Sequence, residues 1–523
     1  MSAQPMRKAS RTFMLFVIVV VLAVPVLSQS NWKTVVNNGD VMPATTSLFN
    51  SYNQPSVNAL GLVVFRARSK GKGGQPVHGI YTRNMLVRNS PVTKIFDRKS
   101  EVPQPNNNGA KFIEFPAFPR VDLLSGTLAT RGNSQPVWTY TLADGTESKA
   151  GTAGVFVKKG NSYSTAITQL GNLEQFPQFQ TPSAAVETKF DQFPGAPAVS
   201  GNRIVFKGNY SEESLSKTGV YFRDIASSGG AAPTRLIANT STRIPNQPSG
   251  ENVAFGSTAP PSAALGFVVF AGFDNEDNPT RGGIYWAPLV ASPPLTTLVG
   301  IGSQVPGEAS DATFTKFGES LSFDGRYVAF WGAWGSEVNN KLLSCPIDGN
   351  SDLVAYCNEQ YPYGYTASVP VHQGIFVYDI LTARLTAVAK SPNNYSDFVY
   401  WTFSGKVPGI GESEDAEPAR WRSSAFTAVS GRLLTFQVIF KASTVDVEGI
   451  YHTVGPRPRS FQTLVDTTMA GTTVDPEAPV GSKITAVGVE REGFRAGWLA
   501  LTASMLDPVT SESWGGIYIQ YMP

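Results

Sequence analysis

One short pattern recurs through the 523-residue chain: a glycine, then Ile or Val, then an aromatic residue, within a strand-like run. The seven copies are GIYTR at Gly79, GVFVK at Gly154, GVYFR at Gly219, GIYWA at Gly283, GIFVY at Gly374, GIYHT at Gly449 and GIYIQ at Gly516. Consecutive copies lie about 64 to 91 residues apart. Self-similarity at such a spacing indicates a repeat architecture, in which each copy belongs to one structural unit.

Each copy has strand-like neighbours on both sides. An apolar run precedes it, such as LVVFRA from Leu62 or YVAFW from Tyr327, and a further run follows it, such as VTKIFD from Val92. A Phe- and Pro-marked segment comes first in most units, as in FIEFPAFPRV from Phe112. The 49 glycines and 37 prolines are spread along the chain and leave little room for long helices. Units of four strands, named A to D in chain order, predict an all-β, seven-bladed β-propeller with four-stranded blades.

The last copy ends the chain, so the seventh unit has no D strand after it. The segment Asn31 to Asp40, NWKTVVNNGD, resembles the D strands of other units, such as PLTTLVGIGS from Pro294. We therefore expect the N-terminal strand to pair with the C-terminal strand and close the ring. Closure removes the open sheet edges that promote aggregation. The predicted domain organisation is one propeller over residues 31–523.

One stretch carries a family resemblance. SFDGRYVAFWG, Ser322 to Gly332, resembles the TolB-type propeller repeat, whose blades have a Ser-Pro-Asp-Gly turn before strand B. Phe323 stands where that repeat has proline, and the other six units keep only the apolar strand. The wider pattern resembles repeats in exported proteins of an uncharacterised family. The resemblance implies a propeller and export, and it assigns no catalytic residue.

The N-terminus has the features of an export signal. Arg7, Lys8 and Arg11 precede a run of about 16 mostly apolar residues, Thr12 to Leu27, and Ser28-Gln29-Ser30 follows. We expect residues 1–28 to be a signal peptide cleaved after Ser28, which makes the protein secreted. The alternative is a retained N-terminal membrane anchor on an extracytoplasmic protein, although the run is short for a bilayer span.

Two further features are consistent with an oxidising, extracellular compartment. Cys345 and Cys357 are the only cysteines, and we expect them to form a disulfide that closes a small loop. Asn209, Asn239 and Asn394 each begin a glycosylation sequon, which would be used only in a eukaryotic source. The net charge of +2, with acids and bases interspersed, indicates no nucleic-acid partner and, once the signal is cleaved, no membrane partner.

The longest predicted loop joins strands B and C of blade five, at about 332–373. Propellers usually bind ligands on the face of the B-to-C and D-to-A loops, and long loops are often functional. This loop and the next D-to-A loop are rich in aromatic residues, which offer flat apolar area with a polar edge. The predicted ligand-binding residues are Trp334, Tyr361, Tyr363, Tyr365, Tyr395, Tyr400 and Trp401. The alternative is that these rings only pack the loops onto the blades.

Other chemistry has weaker signals. Asp274, Glu276 and Asp277 could bind calcium, but the segment lacks the EF-hand glycine and terminal glutamate, so a solvated turn is the simpler interpretation. The acidic residues Glu412, Glu414, Asp415 and Glu417 have the same interpretation. No cofactor is predicted.

The sequence leaves three functions open. The first is a secreted, non-catalytic propeller that binds an extracellular glycan or protein. The second is a secreted hydrolase or lyase with carboxylates in the axial channel, for which the inner strands offer Glu114, Asp191 and Glu319. The third is a structural component of a surface or coat.

Overall fold

The computed structural model describes residues 32–522 except for short gaps. The gaps are 72–75, 106–107, 142–143, 186–187, 226–231, 249, 348–349, 394, 410–417, 443–444 and 455–460. The predicted signal segment, Asn394 and the acidic run at 412–417 therefore lie outside the described residues.

Seven antiparallel sheets of four or five strands form a seven-bladed propeller in the described chain, as predicted, and three two-stranded sheets lie outside the blades. Strand A is innermost and strand D outermost, and in five blades strand A is interrupted. The A strands are Phe49–Tyr52 with Ser56–Val57, Phe112–Glu114 with Arg120–Val121, Ala198–Ser200, Ser257–Thr258 with Ser262–Ala264, Phe314–Phe317 with Ser322–Phe323, Thr427–Ser430, and Lys483–Gly488 with Phe494–Arg495. The B strands are Leu62–Ser69, Leu128–Ser134, Arg203–Glu212, Phe267–Phe273, Tyr327–Trp334, Leu433–Ala442 and Trp498–Leu506.

The outer half of each blade contains the repeated glycine and the strand that follows it. The C strands are His78–Asn84, Ala153–Lys159, Leu215–Asp224, Gly282–Pro288, Gln373–Asp379, Val445–Val454 and Ser513–Tyr521. The D strands are Thr93–Asp97, Ser162–Thr168, Arg235–Asn239, Thr296–Gly300, Arg384–Ser391, Gln462–Asp466 and, for blade seven, Lys33–Asn37. We call the side that carries the B-to-C and D-to-A loops the top face, and the side that carries the A-to-B and C-to-D turns the bottom face.

Ring closure occurs between the two ends of the described chain. Lys33–Asn37 pairs antiparallel with Ser513–Tyr521, and Lys33 lies opposite Ile519. The inward side chains Val35 and Val36 are fully buried with Ile517 and Ile519 and with residues of blade one. The prediction that the first strand completes the last blade is confirmed.

The repeated glycine is explained by a close approach between strands C and D. A β-bulge shifts the register just after the glycine, between Ile80 and Tyr81 in blade one. A Cβ atom at Gly79 would lie 2.5 Å from the backbone oxygen of Phe96. At Gly516 it would lie 2.6 Å from the backbone oxygen of Val36. Because no side chain fits at that distance, the bulged pairing requires glycine in each of these blades.

The hydrophobic core lies between the blades. The cluster of blades five and six, for example, joins Ala329 and Ile375 of one sheet to Phe436 and Tyr451 of the next. The B strands are apolar on nearly every residue because both faces of each sheet are covered. Buried clusters of this kind recur around the ring, between neighbouring blades.

Blade five carries the largest addition to the ring, on the top face. Residues 335–372, which we call the insertion, contain the hairpin Val338–Leu343 and Tyr365–Pro370. They also contain the helix Ser351–Gln360, the one α-helix of the described residues. The next D-to-A loop adds a second hairpin, Tyr400–Ser404 with Arg420–Ser424. We call this the accessory hairpin. Blade two has a smaller one, Trp138–Thr141 with Glu147–Ala150, and the 3-10 turns are Leu170–Asn172, Pro177–Phe179 and Gly471–Thr473.

Candidate functional site

The axial channel opens on the top face into a cavity of about 570 Å³, which we call the funnel. Inner strands of several blades, the insertion helix and the accessory hairpin line it. Its ionisable residues are the carboxylates Glu114, Glu319, Asp352 and Glu490 and the cations Arg131, Lys406, Arg422 and Arg491. Phe118, Leu353 and Val407 add apolar surface. The funnel therefore offers hydrogen-bond donors, acceptors and flat apolar contacts within one concave site.

The floor of the funnel is a charged segment of blade seven. The interruption of strand A between Lys483–Gly488 and Phe494–Arg495 lets Glu490, Arg491 and Glu492 enter the axis. We call these three residues the plug, and all are at most 4% exposed. Both Nη atoms of Arg120, from blade two, donate hydrogen bonds to the carboxylate of Glu490. Glu492 lies 3.1 Å from Arg495 and 4.0 Å from Arg120.

The charges in the plug stabilise one another electrostatically. Burial alone would raise the pKa of Glu490, but the positive charges of Arg120 and Arg491 outweigh it and lower that pKa. Burial and the neighbouring charge of Arg120 lower the pKa of Arg491 to about 10, although the carboxylates of Glu490 and Glu492 oppose this shift. Glu490 therefore stays ionised and is not a proton donor. The floor of the funnel is a network of buried ion pairs.

Hydrogen bonds attach the plug to several blades. The Nη1 atom of Arg491 donates to the backbone oxygen of Pro260 in blade four, at 3.1 Å. Ser322 Oγ of blade five donates to the backbone oxygen of Arg491 at 2.6 Å. Val57 N of blade one donates to the backbone oxygen of Glu492 at 3.0 Å. One short segment thus blocks the axis and joins inner strands from opposite sides of the ring.

The insertion forms a wall of the funnel. Its disulfide joins Cys345 to Cys357, with 5.8 Å between the Cα atoms, as predicted. Cys357 is fully buried on the helix Ser351–Gln360. The side chain of Asn350 caps this helix by accepting hydrogen bonds from the backbone N–H groups of Asp352 and Leu353. The cap fixes the first turn of the helix, whose residues Asp352 and Leu353 line the funnel, and the disulfide links the second half of the helix to residue 345.

The predicted aromatic residues lie in three different environments. Trp334 is the last residue of strand B, 4% exposed, and its ring meets Phe376 edge to face. Tyr395 is 7% exposed among aromatic rings of blade six, including Phe436 and Tyr451. Trp334 therefore belongs to the blade rather than to a loop that begins at residue 332, because strand B continues three residues beyond the apolar run Tyr327 to Trp331.

The remaining aromatic residues lie in the insertion and the accessory hairpin. Tyr361 packs on Phe403, and Tyr365 stacks on Trp421 with 6.2 Å between ring centroids. Tyr400 and Trp401 are half-buried in the accessory hairpin. Tyr363 is 91% exposed. Tyr361 and Tyr365 thus join the insertion to the accessory hairpin, and Tyr363 is the ring presented to solvent, so the role of these residues in binding stays a prediction.

Of the three inner-strand carboxylates, two line the funnel. Glu114 and Glu319 are part of its lining, whereas Asp191 accepts a hydrogen bond from Ser211 Oγ at 2.9 Å and is not part of it. The plug and the cations of the funnel were not anticipated from the sequence. The charged run Val-Glu-Arg-Glu at 489–492 was a usable signal, since the matching inner segments of other blades contain at most one charged residue.

The candidate calcium residues have other interactions. Asp274 accepts backbone hydrogen bonds from Thr280 and Arg281, and Glu276 lies 3.5 Å from Ser257 Oγ. Within the described ranges, no group of three or more His, Cys, Asp and Glu side chains is placed to hold a metal ion. A calcium site at Asp274, Glu276 and Asp277 therefore has no support from a ligand cluster.

Two of the three sequons fall on described residues. Asn209 is half-buried in strand B of blade three. Asn239 is 1% exposed, and its Nδ2 atom donates to the hydroxyl of Tyr210 at 3.3 Å. A glycan on Asn239 would have to displace this contact, so glycosylation stays a prediction at these sites.

No helix among the described residues is long and apolar enough to cross a bilayer.

Comparison with known proteins adds distant structural neighbours. No protein-family model and no curated protein matches the chain. A Pyrococcus horikoshii acylaminoacyl peptidase is similar with 9% identity and a TM-score of 0.36, over 87% of this chain. The chain spans 49%, about half, of that protein's length. Chaetomium thermophilum Sqt1 has 13% identity and a TM-score of 0.32, covering 90% of this chain and 97% of its own. The Pseudomonas aeruginosa periplasmic gluconolactonase PpgL has 11% identity and a TM-score of 0.26, covering 79% and 95%.

Proposed function

We propose that this chain is an exported, non-catalytic propeller with TolB-like repeats that binds a glycan in the funnel on its top face. The observation that carries the proposal is the funnel itself: a cavity of about 570 Å³ whose floor is closed by ion-paired residues. Binding sites for small molecules usually have about 300 to 1,000 Å³ and combine apolar walls with a few polar groups. Protein partners need broader surfaces of about 800 Å² each.

The chemistry of the lining favours a polar ligand. Carboxylate oxygens accept hydrogen bonds from sugar hydroxyls, and guanidinium groups donate to them. Phe118 and Leu353 supply apolar contact beside Glu319 and Arg422. Hydrogen-bonding groups beside apolar side chains suit a short oligosaccharide, which has hydroxyl groups and apolar ring faces. The exposed ring of Tyr363 on the same face would extend the site along a longer chain.

Export is supported by the apolar run at Thr12 to Leu27 and by the disulfide in the insertion. Disulfides persist in oxidising compartments and are rare in the cytosol. The same compartment contains the glycans that the proposed site would bind. Neither calcium nor another cofactor has a role in this proposal.

A glycan array with the purified protein, followed by calorimetry on the best ligand, tests the proposal. Glu319→Ala should weaken binding by roughly tenfold, about 1.4 kcal/mol, because it removes an exposed acceptor from the funnel. Glu337→Ala is the matched control, since that carboxylate is 70% exposed and does not line the funnel. Equal affinities for the two variants would refute binding in the funnel, and no ligand on the array would favour the structural role.

Tyr363→Ala tests the extended part of the site. We expect binding to longer glycans to weaken by at least about 1 kcal/mol with an unchanged melting temperature, because the ring is 91% exposed. If affinity is also unchanged, the ligand does not reach the insertion tip.

A hydrolase or lyase remains the second candidate because Glu114 and Glu319 line the same cavity. Incubating the bound glycan with the protein and analysing the products separates the two functions. Cleavage that is lost in Glu114→Gln and Glu319→Gln would establish the enzyme, whereas an intact ligand after long incubation supports binding alone.

A further inference from the structure

The buried floor of the funnel carries more positive than negative charge. Three guanidinium groups and two carboxylates interact there, those of Arg120, Arg491, Arg495, Glu490 and Glu492. All five side chains are at most 4% exposed. Because a buried charge is costly without a counter-charge, the surplus of one cation favours an anion at the floor.

The surplus charge belongs to Arg491. Both Nη atoms of Arg120 donate hydrogen bonds to Glu490. Arg495 lies 3.1 Å from Glu492, so it also has a carboxylate partner. The carboxylate oxygen nearest to Arg491 is Glu490 Oε1, which is 3.8 Å from Nε and too far away for a hydrogen bond. Arg491 is therefore the guanidinium of the floor that has no carboxylate bonded to it.

The hydrogen bonds of Arg491 go to neutral acceptors that line the funnel with it. Its Nη1 and Nη2 atoms donate to the backbone oxygens of Pro260, at 3.1 Å, and Ala196, at 3.5 Å. Its Nε atom is buried without a hydrogen-bond partner in the described chain. A guanidinium has five N–H groups, so three of them lack an acceptor among the described residues. With a pKa lowered only to about 10, Arg491 keeps its charge at neutral pH.

The accessory hairpin adds a second cation to the lining. Lys406 follows the first strand of this hairpin, and its backbone oxygen accepts a hydrogen bond from Ala419 N at 3.0 Å. Its side chain is half-buried and lines the funnel. Within the described ranges, the ammonium group of Lys406 has neither a hydrogen bond nor an ion pair. It is therefore a second positive charge that a ligand can meet.

Cations and carboxylates of the lining differ in exposure. The cations are buried or half-buried, and they are Arg131, Lys406, Arg422 and Arg491. Arg131 and Arg422 already interact with other groups of the chain. The carboxylates outside the plug are exposed, and they are Glu114, Glu319 and Asp352. Water screens exposed charges more than buried ones, so attraction to the cations outweighs repulsion by these carboxylates.

We infer that the funnel binds an acidic glycan, whose carboxylate or sulfate group is held at the floor by Arg491 and attracted by Lys406. This inference rests on the proposed glycan-binding function and adds the charge of the ligand to it. Hydrogen bonds between a guanidinium and an oxyanion are stronger than those to neutral acceptors. Glu114 and Glu319 remain available to accept hydrogen bonds from hydroxyl groups of the same glycan.

A neutral glycan is a poorer ligand for this arrangement. It would displace water from Arg491 without supplying a counter-charge, and the surplus charge of the floor would remain. Leaving a buried charged group without its partner lowers affinity, so the funnel discriminates against neutral glycans. The discrimination depends on charge and not on the sugar sequence.

An array of acidic glycans with their neutral counterparts tests the inference on the unmutated protein. Uronic-acid oligosaccharides are paired with their methyl esters, and sulfated oligosaccharides with their desulfated forms. Calorimetry then measures both members of the best pair. We expect the acidic member to bind at least about tenfold tighter, because a hydrogen bond to a charged group is worth more than a neutral one. The type of the best pair identifies the anionic group as carboxylate or sulfate.

Two variants locate the anionic group. Lys406→Met should weaken binding of the acidic member by at least about threefold and leave the neutral member unchanged, because it removes a partly exposed charge. Lys99→Met is the matched control, since that lysine is exposed in a D-to-A loop of the same face and does not line the funnel. Arg491→Met should abolish the preference for the acidic member. Circular dichroism checks its fold, and if it does not fold, Lys406→Met and the glycan pairs decide.

Three results would overturn the inference. Equal affinities for acidic glycans and their neutral counterparts would overturn it and leave glycan binding in the funnel intact. Absence of any glycan ligand would refute the proposed function together with it. A preference for the acidic member that persists in Lys406→Met and in folded Arg491→Met would place the anionic group outside the funnel.

Discussion

The inner ring and the blade-five insertion use charge and aromatic residues in opposite ways. In the ring, the charges of the plug are buried and paired, and the aromatic rings fill the spaces between blades. In the insertion, the sheet has only two strands, the helix buries Cys357 alone, and Tyr363 points to solvent. Burial against repeated neighbours stabilises the ring, whereas a disulfide and contacts with the accessory hairpin hold the insertion.

This difference indicates that the ring should respond to mutation as one cooperative unit, while the insertion should respond locally. Regions with few buried apolar contacts open at lower free energy than the core. The insertion can therefore vary or move without unfolding the propeller, which suits a wall of a binding site.

The largest effect is expected from opening the ring. Deleting residues 31–38 removes strand D of blade seven and exposes the edge of Ser513–Tyr521. We expect aggregation or failed secretion, because an unpaired edge strand recruits other chains. The control is a chain that begins at Asn31 and keeps the strand. A deletion variant that elutes as a monomer with unchanged stability in size-exclusion chromatography and melting experiments would contradict closure as a requirement.

The second largest effect should come from the plug. Arg120→Met removes the bidentate partner of the buried carboxylate of Glu490 and leaves it Arg491, 3.8 Å away, so it should lower the free energy of unfolding by about 3 kcal/mol. Arg281→Met is the control, because it breaks a partly exposed pair with Glu251, 2.9 Å apart, and should cost less than about 1 kcal/mol. Urea unfolding measures both. If both variants lose a similar free energy of unfolding, the plug does not stabilise the ring more than a surface ion pair does.

Glu448 gives a pH-dependent effect within the ring. Burial raises its pKa from 4.5 to about 7, although it accepts hydrogen bonds from Gln437 and from the backbone of Val487. The folded state therefore binds the proton more tightly than the unfolded state, and this contribution is present below about pH 4.5 and lost as pH rises through 7. The full loss is up to about 3 kcal/mol.

We expect Glu448→Gln to flatten the stability profile between about pH 5 and 8, because glutamine does not titrate. Glu337→Gln, at an exposed position of the insertion, serves as control and should keep the slope of the parent protein. Thermal melts across this pH range provide the measurement. An unchanged slope in Glu448→Gln would assign the pH dependence to another group.

The smallest effect on the ring is expected from the disulfide. A closed loop of this length contributes on the order of 3 kcal/mol in the chain-entropy model. Because the loop lies outside the blades, replacing both Cys345 and Cys357 with serine should loosen the insertion and leave the melting temperature within about 2 °C. Limited proteolysis should cut faster within residues 335–372. A large fall in melting temperature would show that the insertion and the ring unfold together.

Much of the ring could be predicted from the sequence, and little of the funnel. The glycine before Ile or Val, the apolar B strands and the strand-like start at Asn31 are local patterns, and each predicts its own strand wherever it occurs. The funnel depends on contacts that no local pattern contains. Arg120 and Glu490 are separated by 370 positions, and only the closed ring brings their side chains together.

The aromatic residues show the same limit at shorter range. Trp334 and Tyr363 belong to one predicted loop by sequence, yet one is 4% exposed and the other 91%. Neither the residue type nor the local sequence explains why one aromatic side chain is buried and the other is exposed. The difference in exposure depends on whether a neighbouring sheet covers the position.

By itself, the sequence determined the number of blades, the strand order within each blade and the way the ring closes. It could do so because strand periodicity and the pairing of strands C and D within blades one to six involve residues near one another in the chain, and because the closing strand resembles the D strands of those blades. The tertiary structure decided which charges block the axis, which carboxylates line the funnel and which aromatic rings reach solvent. The physical reason is that burial and ion pairing depend on neighbours supplied by other blades, and those neighbours exist only once the ring is closed.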